Sequence, residues 1–281
     1  MMPPAPRVSV VIAVRNGAAV IGDLLQSLRR LRFTPGEFEI IVVDNESTDG
    51  TPDIVQQFGE DIRVLKEVTL GAAAARNCGV RAARGWAIAV IDADAVAEPD
   101  WLTELVAPLA DETIGIVGGR ILSVEPCNRI ERFGERIHDQ QRAIEQRQPY
   151  AMTGNWASRR DVLVDCGLFD ISLLRGQDVD LAWRIRAAGY RLAYAPQAVV
   201  RHRNEKTIIG LWREGYVHGL HNSRLRKKLG MPRDRKRRRL ATALRRLIRD
   251  DDLVDSALAL VFDAGKITGQ LVAQLNGAGS P

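Results

Sequence analysis

The chain has 281 residues, 46 % of them hydrophobic and 27 % charged, with a net charge of +5. That length and apolar content suffice for a substantial core, in one large domain or two. No apolar stretch approaches the roughly 20 residues of a spanning helix, and the three cysteines, Cys78, Cys127 and Cys166, make neither an even set nor a metal-type pair; a membrane bundle and a disulfide framework are therefore excluded as fold expectations.

After a proline-containing stub, Val8-Ser9-Val10-Val11-Ile12-Ala13-Val14 reads as a buried strand, punctuated by Arg15-Asn16-Gly17. Val20, Ile21, Leu24, Leu25 and Leu28 recur at helical spacing. A second strand, Glu39 to Val43, runs into Asp44-Asn45-Glu46-Ser47-Thr48-Asp49-Gly50. Ser47, Thr48 and Asp49 are candidate caps for a helix beginning near Pro52. Ile62 to Leu65 reads as a short strand and Ala72 to Ala83 as a helix. The run Gly85-Trp86-Ala87-Ile88-Ala89-Val90-Ile91 is too short for a helix and almost wholly apolar, which predicts a strand buried on both faces of a parallel sheet. Four strands alternating with helices predict a doubly wound α/β fold.

Asp92-Ala93-Asp94 follows that strand. Open α/β sheets bind ligands at the carboxyl ends of their strands. Paired carboxylates there suit Mg²⁺ or Mn²⁺ carrying a substrate diphosphate. An acidic loop entrance with no function is the plain alternative.

The strand ends also resemble a family. The first strand with Arg15-Asn16, then Asp44 to Thr51, Ala75-Arg76-Asn77-Cys78-Gly79 and Asp92-Ala93-Asp94 come in a fixed order. Thr153-Gly154-Asn155, Ser158-Arg159-Arg160, Gly167-Leu168-Phe169-Asp170, Gly176 to Arg184 and Val199-Val200-Arg201-His202 continue it. This resembles family 2 of the inverting, metal-dependent glycosyltransferases, over roughly residues 7–205. The resemblance implies the GT-A fold: a mixed, mainly parallel sheet flanked by helices. It implies a donor site for a UDP-, GDP- or dTDP-linked sugar at Ala13, Val14, Arg15, Asn16, Asp44, Asn45, Arg76, Asn77, Asp92, Ala93 and Asp94. Asp44 would accept from the nucleobase. Asp94 would be the direct ligand of Mg²⁺ or Mn²⁺, Asp92 would lie near the ribose or a metal-bound water, and His202 would be a further ligand. Asp178 would be the general base on an acceptor hydroxyl, with Gly154, Asn155, Trp156 and Gln177 on the acceptor side. Many relatives carry Glu-Asp where this chain has Gln177-Asp178, which removes a charge. Asp180 competes with Asp178 for the base role, and helix N-capping is the structural alternative for both. Arg76 and Asn77 read equally well as polar helix-surface residues, and Trp156 as partly buried.

The expected organisation is a catalytic domain over residues 1–215, with a donor half at about 1–120 and an acceptor half at about 121–215, followed by a basic, amphipathic helical tail over 216–281. Arg224 to Arg249 holds thirteen Lys and Arg against one acid, Asp234, so the rest of the chain is net acidic. Leu253, Val254, Leu258, Val261 and Phe262 recur at helical spacing beyond it. The basic stretch fits three partners: an acidic part of the same protein, an anionic membrane surface reached through residues 224–249, or nucleic acid, which no recognised motif supports. The apolar face would add hydrophobic anchoring on such a membrane, or pack on the catalytic domain or a second subunit, as in a homodimer. His218 and His221 have no evident acidic or cysteine partner and read as ordinary surface or interface residues. Met1 to Arg7 lacks the charged-then-apolar order of a leader; a cytoplasmic location, peripheral on the inner face of the cell membrane, is the expectation.

Rival readings lack their signatures. A nicotinamide-dependent dehydrogenase needs a glycine fingerprint that Arg15-Asn16-Gly17-Ala18-Ala19 does not supply. A phosphate-loop hydrolase needs Gly-Lys-Ser/Thr, and Gly265-Lys266 is followed by Ile267. A non-enzymatic nucleic-acid-binding or scaffold protein with a non-catalytic domain of this fold explains the basic stretch but leaves Asp44, Asp92, Asp94 and Asp178 idle.

Overall fold

Four apolar strands near the N-terminus set the architecture. β1 (Val8–Val14), β2 (Phe38–Asp44), β3 (Ile62–Lys66) and β4 (Ala87–Ile91) lie parallel in the order β3-β2-β1-β4. Helices α1 (Ile21–Leu28), α2 (Thr51–Gln57) and α3 (Ala72–Ala82) make the crossovers. All five residues of β4 are buried, as a strand covered on both faces requires. The computed structural model describes residues 7–34, 37–230 and 253–277.

The chain continues through β5 (Ala95–Ala97), α4 (Trp101–Val106), β6 (Ile114–Ser123), α5 (Arg129–Ile137), α6 (Gln140–Glu145), β7 (Asn155–Arg159), α7 (Arg160–Asp165), α8 (Gln177–Ala187), β8 (Arg191–His202), α9 (Ile208–Lys228) and α10 (Leu253–Gly277). β7 runs antiparallel to both β4 and β6, β8 is parallel to β6, and β5 is antiparallel to β8. The eight-stranded sheet has the order β3-β2-β1-β4-β7-β6-β8-β5, mixed and mainly parallel. One face is packed by Leu24, Leu25, Trp101 and Leu105, the other by Val80, Leu163, Leu181 and Ile185.

Two compact units emerge. The first comprises Met1–Val124, His138–Ser172 and Gln177–Arg203 and holds the whole sheet. The second comprises Glu125–Ile137, Leu173–Gly176 and Asn204–Pro281 and holds α5, α9 and α10. Helix α9 is continuous through residue 215. The helix expected from Leu253 onward is α10. Its Leu258 and Phe262 are buried with Phe133 of α5 and Leu211 of α9, so that part of the apolar face is used inside the second unit. The basic run Arg233 to Arg239 lies outside the described residues.

Helices α9 and α10 pair in parallel through glycines. A Cβ on Gly215 or Gly219 of α9 would run into the carbonyl oxygen of Phe262 or Lys266, and one on Gly265 or Gly269 of α10 into that of Trp212 or Tyr216. Backbone faces backbone, so no side chain can yield. Gly219→Val should force the helices apart and cost about 1–3 kcal/mol. A urea melt followed by circular dichroism should show a lower midpoint, and an unchanged midpoint would contradict the close pairing.

Candidate active site

Strand ends assemble the site. Val14 pairs with Asp44 across β1 and β2, and Val11 with Val90 across β1 and β4, so Asp44 and Asp92 leave the sheet at its carboxyl edge. Ile91 pairs with Asn155; this brings Gly154 beside Asp92, where a Cβ would lie 3.0 Å from Asp92 Oδ2. Ala95 pairs with His202 at the end of β8, which carries the imidazole back to Asp94. Sequence neighbours and distant segments thus meet through register alone.

Asp92, Asp94 and His202 each offer a ligand atom, all within 4.8 Å of one another. His202 Nε2 lies 3.2 Å from Asp94 Oδ1. Burial alone would raise the Asp94 carboxyl, but the hydrogen bond and charge of His202 outweigh it and hold the pKa below the usual carboxylate value. Asp92 Oδ1 accepts from Arg76 Nη2 at 3.0 Å, and Arg76 is itself buried, with its guanidinium 5.8 Å from the Phe169 ring. Two hard oxygens and one imidazole fit Mn²⁺ well and Mg²⁺ less well. His138, which no sequence signal singled out, packs its ring 4.8 Å from that of His202, tilted at 52°.

Asp178 is the second residue of α8, and its Oδ1 accepts from the Val179 N–H at 2.9 Å. Burial pushes its carboxyl above the ordinary range, against the pull of that N–H and of Arg76; the charge of Asp92 pushes the same way as burial. The Tyr150 phenol is pushed up to about 12, chiefly by burial and then by Asp178, so it stays protonated beside that carboxylate. Asp180 is engaged differently: its Oδ2 accepts from Arg184 Nε and Nη2 at 3.0 and 2.8 Å. Arg184 also donates to the Cys166 and Leu168 carbonyls, which makes this pair a brace for the 166–168 turn.

The remaining expected residues divide. Asp44 is buried and its Oδ1 has no hydrogen-bond partner within the protein. Asn45 fixes its own loop, donating to Glu67 and Thr69 carbonyls and accepting from the Gly71 N–H. Ala13 is half-buried, Val14 buried, and Arg15 exposed. Asn16, at φ 53°, accepts from the Thr48 N–H at 2.8 Å while its own N–H reaches Ser47 Oγ at 2.9 Å. Ser47 and Thr48 therefore lace the β1 and β2 loops together instead of capping α2, whose N-cap is Gly50; Asp49 accepts from the Thr51 N–H at 3.0 Å and the Ala18 N–H at 3.1 Å. Ala93 is half-buried between its two carboxylate neighbours, and Gln177 is buried. Asn155 is fully buried, accepting from Trp101 Nε1 and donating to the Arg120 and Ala198 carbonyls. Trp156 is 2 % exposed and packs 5.7 Å from Phe169. Both sit in the core, and neither presents a free surface to an acceptor. His218, in the second unit, does have an acidic neighbour, Glu214, at 3.9 Å one turn earlier.

The model of glycosyl transferase family 2 matches residues 9–167. The chain belongs to that family. It is 31 % identical over 203 residues to a glycosyltransferase, AglE, of Haloferax volcanii, covering 70 % of this chain and 67 % of that one. It is 35 % identical over 215 residues to the pre-mycofactocin glycosyltransferase of Mycobacterium tuberculosis, covering 73 % of this chain but only 44 % of that one. Among solved structures, a mannosyltransferase of Pyrobaculum calidifontis, in complex with GDP-mannose and Mn²⁺, aligns with a TM-score of 0.63 at 23 % identity over 99 % of this chain and 77 % of that one. Glucosyl-3-phosphoglycerate synthase of M. tuberculosis, in complex with Mn²⁺, UDP and its product, aligns at 0.57 and 22 % identity over 81 % of each. The GT-A fold is thus shared, and the chain is a glycosyltransferase.

Asn77 illustrates a site residue with a structural task. Its amide donates to the Phe169 carbonyl at 2.8 Å and accepts from the Phe169 N–H at 2.9 Å, wholly buried. Asn77→Ala should leave both Phe169 groups unsatisfied and cost about 2–4 kcal/mol, seen as a lower denaturant midpoint. A large loss of nucleotide affinity at unchanged stability would instead mark it as a donor contact.

Proposed function

We propose that this glycosyltransferase moves a sugar from a nucleoside-diphosphate donor to an acceptor hydroxyl, with metal dependence and with inversion at the anomeric carbon. One observation carries the reading: two carboxylates and an imidazole converge within 4.8 Å at the carboxyl edge of the sheet. Asp92, Asp94 and His202 are the residues that would hold Mn²⁺ or Mg²⁺. Such an ion, when bound, supplies Lewis-acid stabilisation to the departing diphosphate.

The protein's own groups supply the rest. The buried, unpaired Asp44 Oδ1 is an acceptor suited to a nucleobase N–H, since a buried oxygen without a partner gains most from one. Ala13, Val14, Arg15 and Asn16 line the neighbouring strand end. Arg76 holds Asp92 in place. Asp178 takes the proton of the acceptor hydroxyl as its oxygen bonds to the anomeric carbon. The bond from that carbon to the diphosphate breaks on the opposite face, which inverts the centre. The raised carboxyl of Asp178 brings its proton affinity nearer that task, while Asp180 is occupied by Arg184. Gln177 and Gly154 border the acceptor side.

Two experiments test this. Asp94→Ala should abolish Mn²⁺ binding by calorimetry and donor turnover across UDP, GDP and dTDP sugars, with the native circular dichroism spectrum retained; full turnover in EDTA would overturn the metal assignment. Asp178→Asn should lower transfer by about 10² or more. It should also stabilise the protein at neutral pH. A raised folded pKa means that the ionised form is disfavoured in the fold, so the aspartate loses stability as pH rises through that pKa, and both forms are equal below the ordinary carboxylate range. The gain in melting temperature should therefore vanish on acidification. Near-normal transfer in Asp178→Asn, with loss in Asp180→Asn, would move the base to Asp180.

A further inference from the structure

The second unit carries exposed apolar side chains and exposed cations. Helix α9 opens with Ile208 and Ile209, 56 % and 78 % exposed, and Trp212 follows one turn on. Helix α10 opens with Leu253 and Val254, 67 % and 49 % exposed. The parallel register that sets Gly215 against Phe262 also sets Ile208 level with Asp255. Both first turns therefore lie at one end of the helix pair. Isolated exposed apolar residues are ordinary, but five large ones at one end mark an interaction surface.

The charge around them is one-sided. Among residues of this unit whose side chains are described, eight Lys and Arg are exposed, five of them (Arg129, Arg132, Arg136, Lys206 and Arg213) on α5 and around the start of α9, against two exposed acids, Glu125 and Glu205. Of the other acids, Glu131 is buried, Glu135, Glu214 and Asp263 are half-buried, and Asp255 is held by Arg129 and Arg136 at 3.1 and 3.2 Å. Arg129, Arg132 and Arg136 recur three and four residues apart on the exposed face of α5. Adding a cationic surface to an exposed tryptophan and aliphatic tips gives the composition of a helix that lies in a lipid interface.

We propose that this end of the second unit docks on an anionic lipid bilayer. Ile208, Ile209, Trp212, Leu253 and Val254 enter the headgroup boundary, and the exposed arginines meet lipid phosphates. A second copy of the chain fits less well, because a two-fold interface would set this cationic surface against itself. The placement is independent of the basic run at 231–252 and of the transfer chemistry.

Sedimentation of the full chain with vesicles of phosphatidylcholine, alone or with phosphatidylglycerol, tests it. Binding is expected only with phosphatidylglycerol and should weaken with salt. Arg132→Gln with Arg213→Gln should weaken it about tenfold or more. Ile209→Ser with Leu253→Ser should remove the part that high salt leaves. All four residues are surface groups, and circular dichroism melts should match the parent. Equal, negligible binding to both vesicles overturns the proposal. So does anionic binding that both double variants leave unchanged, or a lipid-free dimer in sedimentation velocity that Ile209→Ser with Leu253→Ser dissociates.

Discussion

The burial of β4 on both faces fixes where charge can go in this protein. A strand with no exposed residue cannot tolerate an ionised group along its length, so its carboxylates appear only where it leaves the sheet. Even there they are not free in water. Asp92 is answered by a buried arginine from α3, and Asp94 by the imidazole at the end of β8. Each of those partners would be costly to bury alone. The pairs are therefore mutually conditional: Arg76 is tolerable inside because Asp92 is there, and Asp92 is held rigid because Arg76 is. Rigidity of this kind is what a ligand-binding edge needs, since it keeps oxygens from relaxing toward solvent.

The same logic separates two neighbouring acids on α8. Asp180 is neutralised by Arg184, and that arginine also satisfies two carbonyls of the 166–168 turn. Its charge is spent on structure. Asp178 receives only backbone donors, from Val179 and its own N–H, and a more distant pull from Arg76, so desolvation dominates its proton affinity. One turn of helix thus carries a committed carboxylate and an uncommitted one. Uncommitted buried charge lowers stability, which is the usual mark of a group kept for chemistry.

Much of this was legible in the residues. The buried runs Val8 to Val14 and Ala87 to Ile91, the helical spacing of α1 and the parallel arrangement of β1 to β4 follow from hydrophobic period and turn chemistry, whereas the mixed sheet as a whole was implied only by the family resemblance. Convergence of Asp92, Asp94 and His202 could be expected only through the family resemblance, because more than a hundred residues separate Asp94 from His202 and only the β5–β8 register closes that gap. Other features were hidden for physical reasons. Asn155 and Trp156 look like ligand-binding types, yet a polar side chain in a strand can be satisfied wholly by carbonyls of neighbouring strands, and local sequence does not reveal those neighbours. Ser47 and Thr48 have cap chemistry and precede a helix, but their partner comes from the β1 loop far earlier in the chain: the Asn16 N–H donates to Ser47 Oγ, and Asn16 Oδ1 accepts from the Thr48 N–H. His138 has no local pattern at all; its place is set by packing.

The second unit follows a different rule from the first. In the first, large side chains interdigitate between sheet and helices, and polar groups are pushed to the strand ends. In the second, glycines at Gly215, Gly219, Gly265 and Gly269 let two helix backbones touch. An interface made of backbone consumes few large side chains. Leu211, Leu258, Phe262 and Phe133 are buried in what remains, with Ile130, Ile137, Ala259 and Val261 packed against them. Ile208, Ile209, Trp212, Leu253 and Val254 stand exposed at the first turns of these helices. A unit built this way holds its shape with its own small core while keeping apolar surface available, and the withdrawal of Asp255 and Glu131 into ion pairs and burial leaves that surface bordered mainly by cations.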